Sequence, residues 1–203
     1  MAGPEPPAEL IRGLWRWTAP HPDWRPPSRT GGPDDWEQLV GCALYETERA
    51  VTFFDPLVGP DAGAFWAWAD ARVAGRPVHV LTTIHWHRRS RDAVVARYGA
   101  QTSRARARLP AGIEPVVLRG AGETMFWLPG PRALIPGDRL LGAPGGGLRI
   151  CPQSWLSAVR VDRYELRALL APVLELPVAR VLVSHGRPVL RGGAGALRAA
   201  LSA

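Results

Sequence analysis

The stretch Leu81-Thr82-Thr83-Ile84-His85-Trp86-His87-Arg88-Arg89-Ser90 constrains the chain most. Before it, residues 77–82 form a short, mostly apolar run bounded by Gly75 and Pro77, which reads as a buried strand. After it, residues 90–98 carry a helical pattern, and Gly99 stands where a left-handed residue closes a helix. Between the two lie imidazoles at i and i+2. A strand end that feeds a helix start is where α/β layers collect their chemistry. Imidazoles titrate near neutrality and are common metal ligands. On a regular strand, residues i and i+2 share a face. The spacing therefore permits joint chelation, and equally permits two histidines bonded to their own neighbours.

A chain of 203 residues, 46% hydrophobic and 21% charged, is a globular domain of ordinary size with a real core. No apolar run reaches the ~20 residues that span a bilayer, so no membrane partner is expected. The first residues, Met1-Ala-Gly-Pro-Glu-Pro-Pro, lack the basic and apolar regions of a signal peptide, which points to the cytoplasm. Cys42 and Cys151 give no disulfide framework and are expected as free thiols. The net charge of +7 would suit an anionic partner, but all 25 basic residues are arginine and most are scattered. Such a skew fits coding bias better than a nucleic-acid interface. The exceptions to the scatter are Arg88-Arg89-Ser90-Arg91 and Arg104-Ala-Arg106-Ala-Arg108, and such runs read by default as a solvated face.

Residues 1–10 are expected to be a flexible tail, with a single domain over 11–203. Strands are expected at 13–18, 39–45 and 50–54, joined as hairpins apart from a Pro/Gly/Asp-rich loop at 21–35. A helix follows over 61–73, capped by Asp61, with Phe65, Ala69 and Val73 on one face. After the central stretch come strands at 114–118, 123–128 and 132–135. Residues 143–147 are glycine-rich without the lysine of a phosphate loop and read as a flexible loop. Residues 162–174 form the clearest helix, which Pro172 should kink or end early. A buried strand at 177–183 and a closing helix at 194–201 complete the chain.

Three strand ends carry polar groups: His85/His87, Asp138 and His185. Each follows an apolar run and sits beside glycine, proline or a turn. If they converge at one sheet edge, three imidazoles and a carboxylate would suit Zn²⁺, Fe or Mn. Asp138 can equally be a turn aspartate bonded to nearby backbone. Asp55 before Pro56 reads as structural, fixing the loop beneath the site.

The order of these pieces resembles the metallo-β-lactamase fold superfamily. A hairpin-rich start ends in Asp55-Pro56. A helix and strand lead to His85-Trp86-His87, at the place of that family's His-x-His-x-Asp-His motif. A strand pair ends in Gly137-Asp138, and Val181-Leu182-Val183-Ser184-His185-Gly186 is similar to the family's last strand with its His-Gly. The resemblance spans roughly residues 13–201. It implies an α+β fold, a four-layer αββα sandwich of two mixed β-sheets, with the site along one edge. It also implies metal ligands at His85, His87, Asp138 and His185, with Asp138 and His185 catalytic.

The departures are as informative. Arg89 stands at the motif's Asp and Ser90 at its last His, while Arg119 falls where the family places a further His. A guanidinium has no acceptor and stays charged. At about 4–6 Å from a divalent cation it repels by a few kcal/mol, even at an effective dielectric near 20. A two-metal hydrolase is thus disfavoured. The expectation is a divergent hydrolase of a small ester, thioester or lactone with at most one Zn, Fe or Mn. The alternative is a metal-free, non-catalytic relative holding an anionic ligand on Arg89 and Arg119.

Overall fold

Among the described residues, apolar patterning builds a six-stranded sheet, a four-stranded sheet, a two-stranded hairpin and four α-helices. The structure, a computed structural model, describes residues 3–103 and 109–203. In the first sheet, β1 (Ala8–Ile11), β2 (Leu14–Pro20), β3 (Leu39–Glu46) and β4 (Val51–Phe54) pair antiparallel in that order. Helix α1 (Ala62–Val73) leads to β5 (Val78–Leu81), and α2 (Arg91–Tyr98) leads to β6 (Gln101–Ser103); β5 and β6 extend the sheet in parallel. In the second half, β7 (Glu114–Leu118), β8 (Glu123–Leu128) and β9 (Ala133–Ile135) form an antiparallel meander. A separate hairpin joins β10 (Leu140–Gly142) and β11 (Leu148–Ile150). Helix α3 (Arg163–Leu170) then precedes β12 (Arg180–Val181), which pairs parallel with β9, and α4 (Gly193–Ser202) closes the chain.

Alternation along each strand assigns the layers. In β3 and β4, Cys42, Leu44, Val51 and Phe53 pack with Phe65, Ala69 and Val73 of α1 and Val94 of α2. Their alternate neighbours Ala43 and Phe54 pack with Phe126, Leu128, Ala133 and Ile135 from the second sheet. Met125, Trp127 and Leu134, on the other face of that sheet, meet Leu166 and Leu170 of α3 and Leu197 and Ala200 of α4. Helices therefore cover the outer face of each sheet while the inner faces meet. This is the expected αββα sandwich.

The helix signals act as the sequence implies. Asp61 accepts from Ala64 N at 2.9 Å. Asp162 and Glu165 form a reciprocal capping box at 2.8 and 2.9 Å. Pro172 ends α3 at Leu170, and residues 171–175 continue as a tighter 3-10 turn. Cys42 and Cys151 are free and buried.

Other expectations are corrected. Residues 8–11, placed in or at the edge of a flexible tail, form β1. That segment is tied down further by Glu5, which exchanges bonds with Thr18 and meets Arg16 at 2.8 Å. The glycine-rich 143–147 is the turn of the β10–β11 hairpin, with Gly146 and Gly147 at φ of 92° and 77°. The strand over 177–183 is paired only at Arg180–Val181. Beyond it Leu182 N still bonds Leu134 O, but Ser184 O turns to Gly41 N across the sandwich. The arginine run at 104–108 lies outside the described residues.

Candidate metal centre

Each central side chain is placed by a different strand end. His87 follows β5. There the chain leaves the strand, and His87 N bonds back to Ile84 O at 2.9 Å in a turn. That turn corrects the chelating pair: His85 and His87 no longer share a face. His85 is exposed, its ring edge-on to Trp86 at 4.5 Å, while His87 is 4% exposed and points inward.

Asp138 follows β9 through Pro136-Gly137. Glu123, at the start of β8, shapes this turn: its carboxylate accepts from Gly137 N, Asp138 N and Arg139 N at 3.0, 2.7 and 3.0 Å. Gly137 is required there, since a Cβ would stand 2.7 Å from Thr83 Oγ1 and 2.9 Å from Glu123 Oε2. His185 follows β12, and its carbonyl accepts from Gly142 N at 2.9 Å.

The three meet. His87 Nε2 lies 3.1 Å and His185 Nε2 3.4 Å from Asp138 Oδ1. One donor atom from each residue falls within 4.8 Å of the others, and all three residues are buried. Asp138 Oδ2 is occupied by the Trp86 indole N–H at 2.6 Å. Oδ1 is buried and faces the two imidazole Nε2 atoms. His87 Nδ1 lies 2.9 Å from Asp55 Oδ2, and Asp55 also accepts from Thr83 N and Thr83 Oγ1 at 2.9 and 2.5 Å. Asp55 thus has the supporting role expected of it. It favours the His87 tautomer that carries hydrogen on Nδ1 and turns the Nε2 lone pair to the cluster.

Charge follows geometry. Burial opposes protonation of His87, as does Arg89, but Asp138 and Asp55 outweigh them and push it up to about 9. Burial would raise Asp138, yet His87 and His185 hold it well below the usual carboxylate range. Glu123 is pushed up to about 7 by burial and by the charge of Asp138.

The fit to one divalent cation is good on these grounds. Two imidazole nitrogens and a carboxylate oxygen converge, and a second carboxylate orients a ring from behind. Among the described residues, no other group of three such side chains converges this closely.

The cluster borders a cavity of about 420 Å³. Trp36, Trp86, Trp155 and Pro33 wall it, with Arg89, Ser154 and Ser157 as polar lining. Trp36 and Trp155 both stand edge-on to His185, with ring centres 5.7 and 5.6 Å away. Trp36 comes from the 21–38 loop, which is pinned where Gly31 O and Gly32 O accept from Ser154 Oγ and Trp155 Nε1 at 3.0 and 3.3 Å.

The two arginines of the anion alternative are not brought together. Arg119 is exposed in the turn between β7 and β8, away from the cavity. Arg89 lines the cavity and pairs with neither Asp92 nor Asp138; its Nη1 donates to Gly41 O and Asp55 O, both at 3.0 Å. The sequence reading missed Glu123 and Arg139. Arg139 is fully buried, donates to Ala121 O and Trp155 O at 2.9 and 3.1 Å, and stacks 5.7 Å from the Trp86 ring centre.

A structure titled as a metallo-β-lactamase from Hirschia baltica superposes with a TM-score of 0.66 over 98% of this chain and 97% of that one, at 13% identity. The chain has the metallo-β-lactamase fold. The FIM-1 metallo-β-lactamase from Pseudomonas aeruginosa, solved in a mono-zinc form, gives a TM-score of 0.59 over 97% and 94% of the two chains, at 10% identity. No family model and no curated protein matches the sequence. The fold thus persists where little sequence identity does. Its four layers bring His87, Asp138 and His185 to one edge. No helix among the described residues is long and apolar enough to cross a membrane.

Proposed function

We propose that the chain is a divergent hydrolase of the metallo-β-lactamase fold, holding one divalent cation on His87, Asp138 and His185. Zn²⁺ suits the two nitrogens and one oxygen best, with Fe or Mn as the other candidates. The observation that carries this is the convergence of Asp138 Oδ1 with two imidazole Nε2 atoms at 3.1 and 3.4 Å, all three residues buried. A bound cation would polarise a carbonyl oxygen and lower the pKa of its water.

The chain's own groups do the rest. Asp138 is held ionised and serves as a ligand, with the Trp86 N–H fixing its other oxygen. His185 closes the cluster through Nε2, and its Nδ1 stands 3.6 Å from a Glu37 carboxylate oxygen at the rim. The three tryptophans give the cavity an apolar wall. Its size suits a small molecule, and we assign a small ester, thioester or lactone as substrate. A screen of such substrates before and after chelation tests the reading. Activity lost on chelation and in His87→Ala is expected; hydrolysis that survives both overturns it.

A further inference from the structure

Arg89 has an unusual position. Its neighbours Arg88 and Arg91 reach Asp92 outside the cavity, with the Arg91 contact at 3.1 Å. Arg89 instead adopts φ 38°, a left-handed conformation that costs a non-glycine residue about 1 kcal/mol or more. Two contacts maintain it. Ser90 Oγ accepts from Val58 N at 3.0 Å, and Ser90 N bonds Pro56 O at 2.9 Å. The result is a guanidinium at the cavity wall beside His87, Asp138 and His185.

Its partners are all uncharged. Nη1 donates to two backbone carbonyls and contacts Cys42 Sγ at 3.7 Å. Among the described residues Nη2 has no hydrogen-bond partner, and Nε is buried without one. No carboxylate among them forms a salt bridge with the half-buried Arg89, whereas the buried Arg16 is paired with Glu5 at 2.8 Å. A permanently charged group that is partly buried without a counter-ion loses hydration with no opposite charge to replace it. A guanidinium also matches a carboxylate in shape and charge.

We propose that Arg89 supplies an anion subsite, so that the molecules entering this cavity are small carboxylates, the carboxylate resting on Arg89 while the rest meets the tryptophan walls. The chemistry performed on them rests on the hydrolase reading; the binding does not.

The test uses the full chain stripped of metal, with benzoate titrated by calorimetry at low and raised salt. Binding that weakens with salt is expected, weaker by about tenfold or more in Arg89→Met and less affected in Arg89→Lys. Wild-type protein that does not bind benzoate, or Arg89→Met that binds it equally well, overturns the proposal. Arg89 also braces two carbonyls, so a second measurement avoids substitution altogether. Benzoate should slow phenylglyoxal labelling of Arg89 in the wild-type chain, read by peptide mass, while exposed Arg88 and Arg119 label unchanged. Equal labelling of Arg89 with and without benzoate is the contrary result. Metal uptake measured in parallel separates the two ideas. Protection of Arg89 without metal uptake sinks the hydrolase reading alone, and metal uptake without Arg89-dependent binding sinks the anion subsite alone.

Discussion

The Trp86 indole N–H donates to Asp138 Oδ2 across 2.6 Å, which leaves Oδ1 of the same carboxylate facing His87 and His185. The bond spans the two halves of the fold, from the turn after β5 to the turn after β9. Trp86 is 42% exposed, so its ring contributes little to the core. Trp86→Phe keeps most of the apolar wall and removes the donor. Metal affinity should fall by about 10- to 100-fold, as when other outer partners of metal ligands are removed, with little change in thermal stability. Zinc competition titrations and a melt of the same sample check both halves.

Asp55 is a support of a different kind, because it is 2% exposed and satisfies three donors. Asp55→Ala leaves Thr83 N, Thr83 Oγ1 and His87 Nδ1 without their acceptor. A loss of about 2–4 kcal/mol of folding stability is expected, read by urea denaturation. Asp55→Asn, which keeps an acceptor for Thr83 N, should lose less stability but still weaken metal binding.

The metal-free protein should be less stable in mild alkali. His87 is pushed up from 6.5 to about 9 in the folded state. The folded chain therefore holds this proton more tightly than the unfolded chain. That stabilisation is complete below about pH 6.5 and is lost as pH rises through about 9. The melting temperature of the stripped protein should fall over that window, and His87→Gln should flatten the fall. Added zinc competes with the same proton, so its stabilising effect should grow with pH.

Much of this architecture was legible in the sequence because local patterns and packing agree. Phe53 and Phe54 point to opposite layers, and the apolar runs of β3, β4 and β8 are continuous because both faces of each sheet are covered. His87, Asp138 and His185 could be picked out because each ends an apolar run beside a turn. His85 was misassigned because i, i+2 spacing implies a shared face only while the strand continues, and here it has ended. Glu123 and Arg139 gave no sequence signal beyond single charges beside apolar runs, which ordinarily face water. The Glu123 carboxylate is satisfied by the backbone of residues 137–139 and the Arg139 guanidinium by Ala121 O and Trp155 O, partners that only the folded chain brings together. The glycines at 145–147 hid a hairpin because the flanking strands have only three residues each.

The most direct measurement is the metal content of untagged protein purified without chelator, by elemental mass spectrometry. About one zinc, iron or manganese per chain, lost in His87→Ala and in Asp138→Ala, is the predicted result. A wild-type chain that carries no metal, and takes up none when it is supplied, would contradict the one-cation centre on His87, Asp138 and His185.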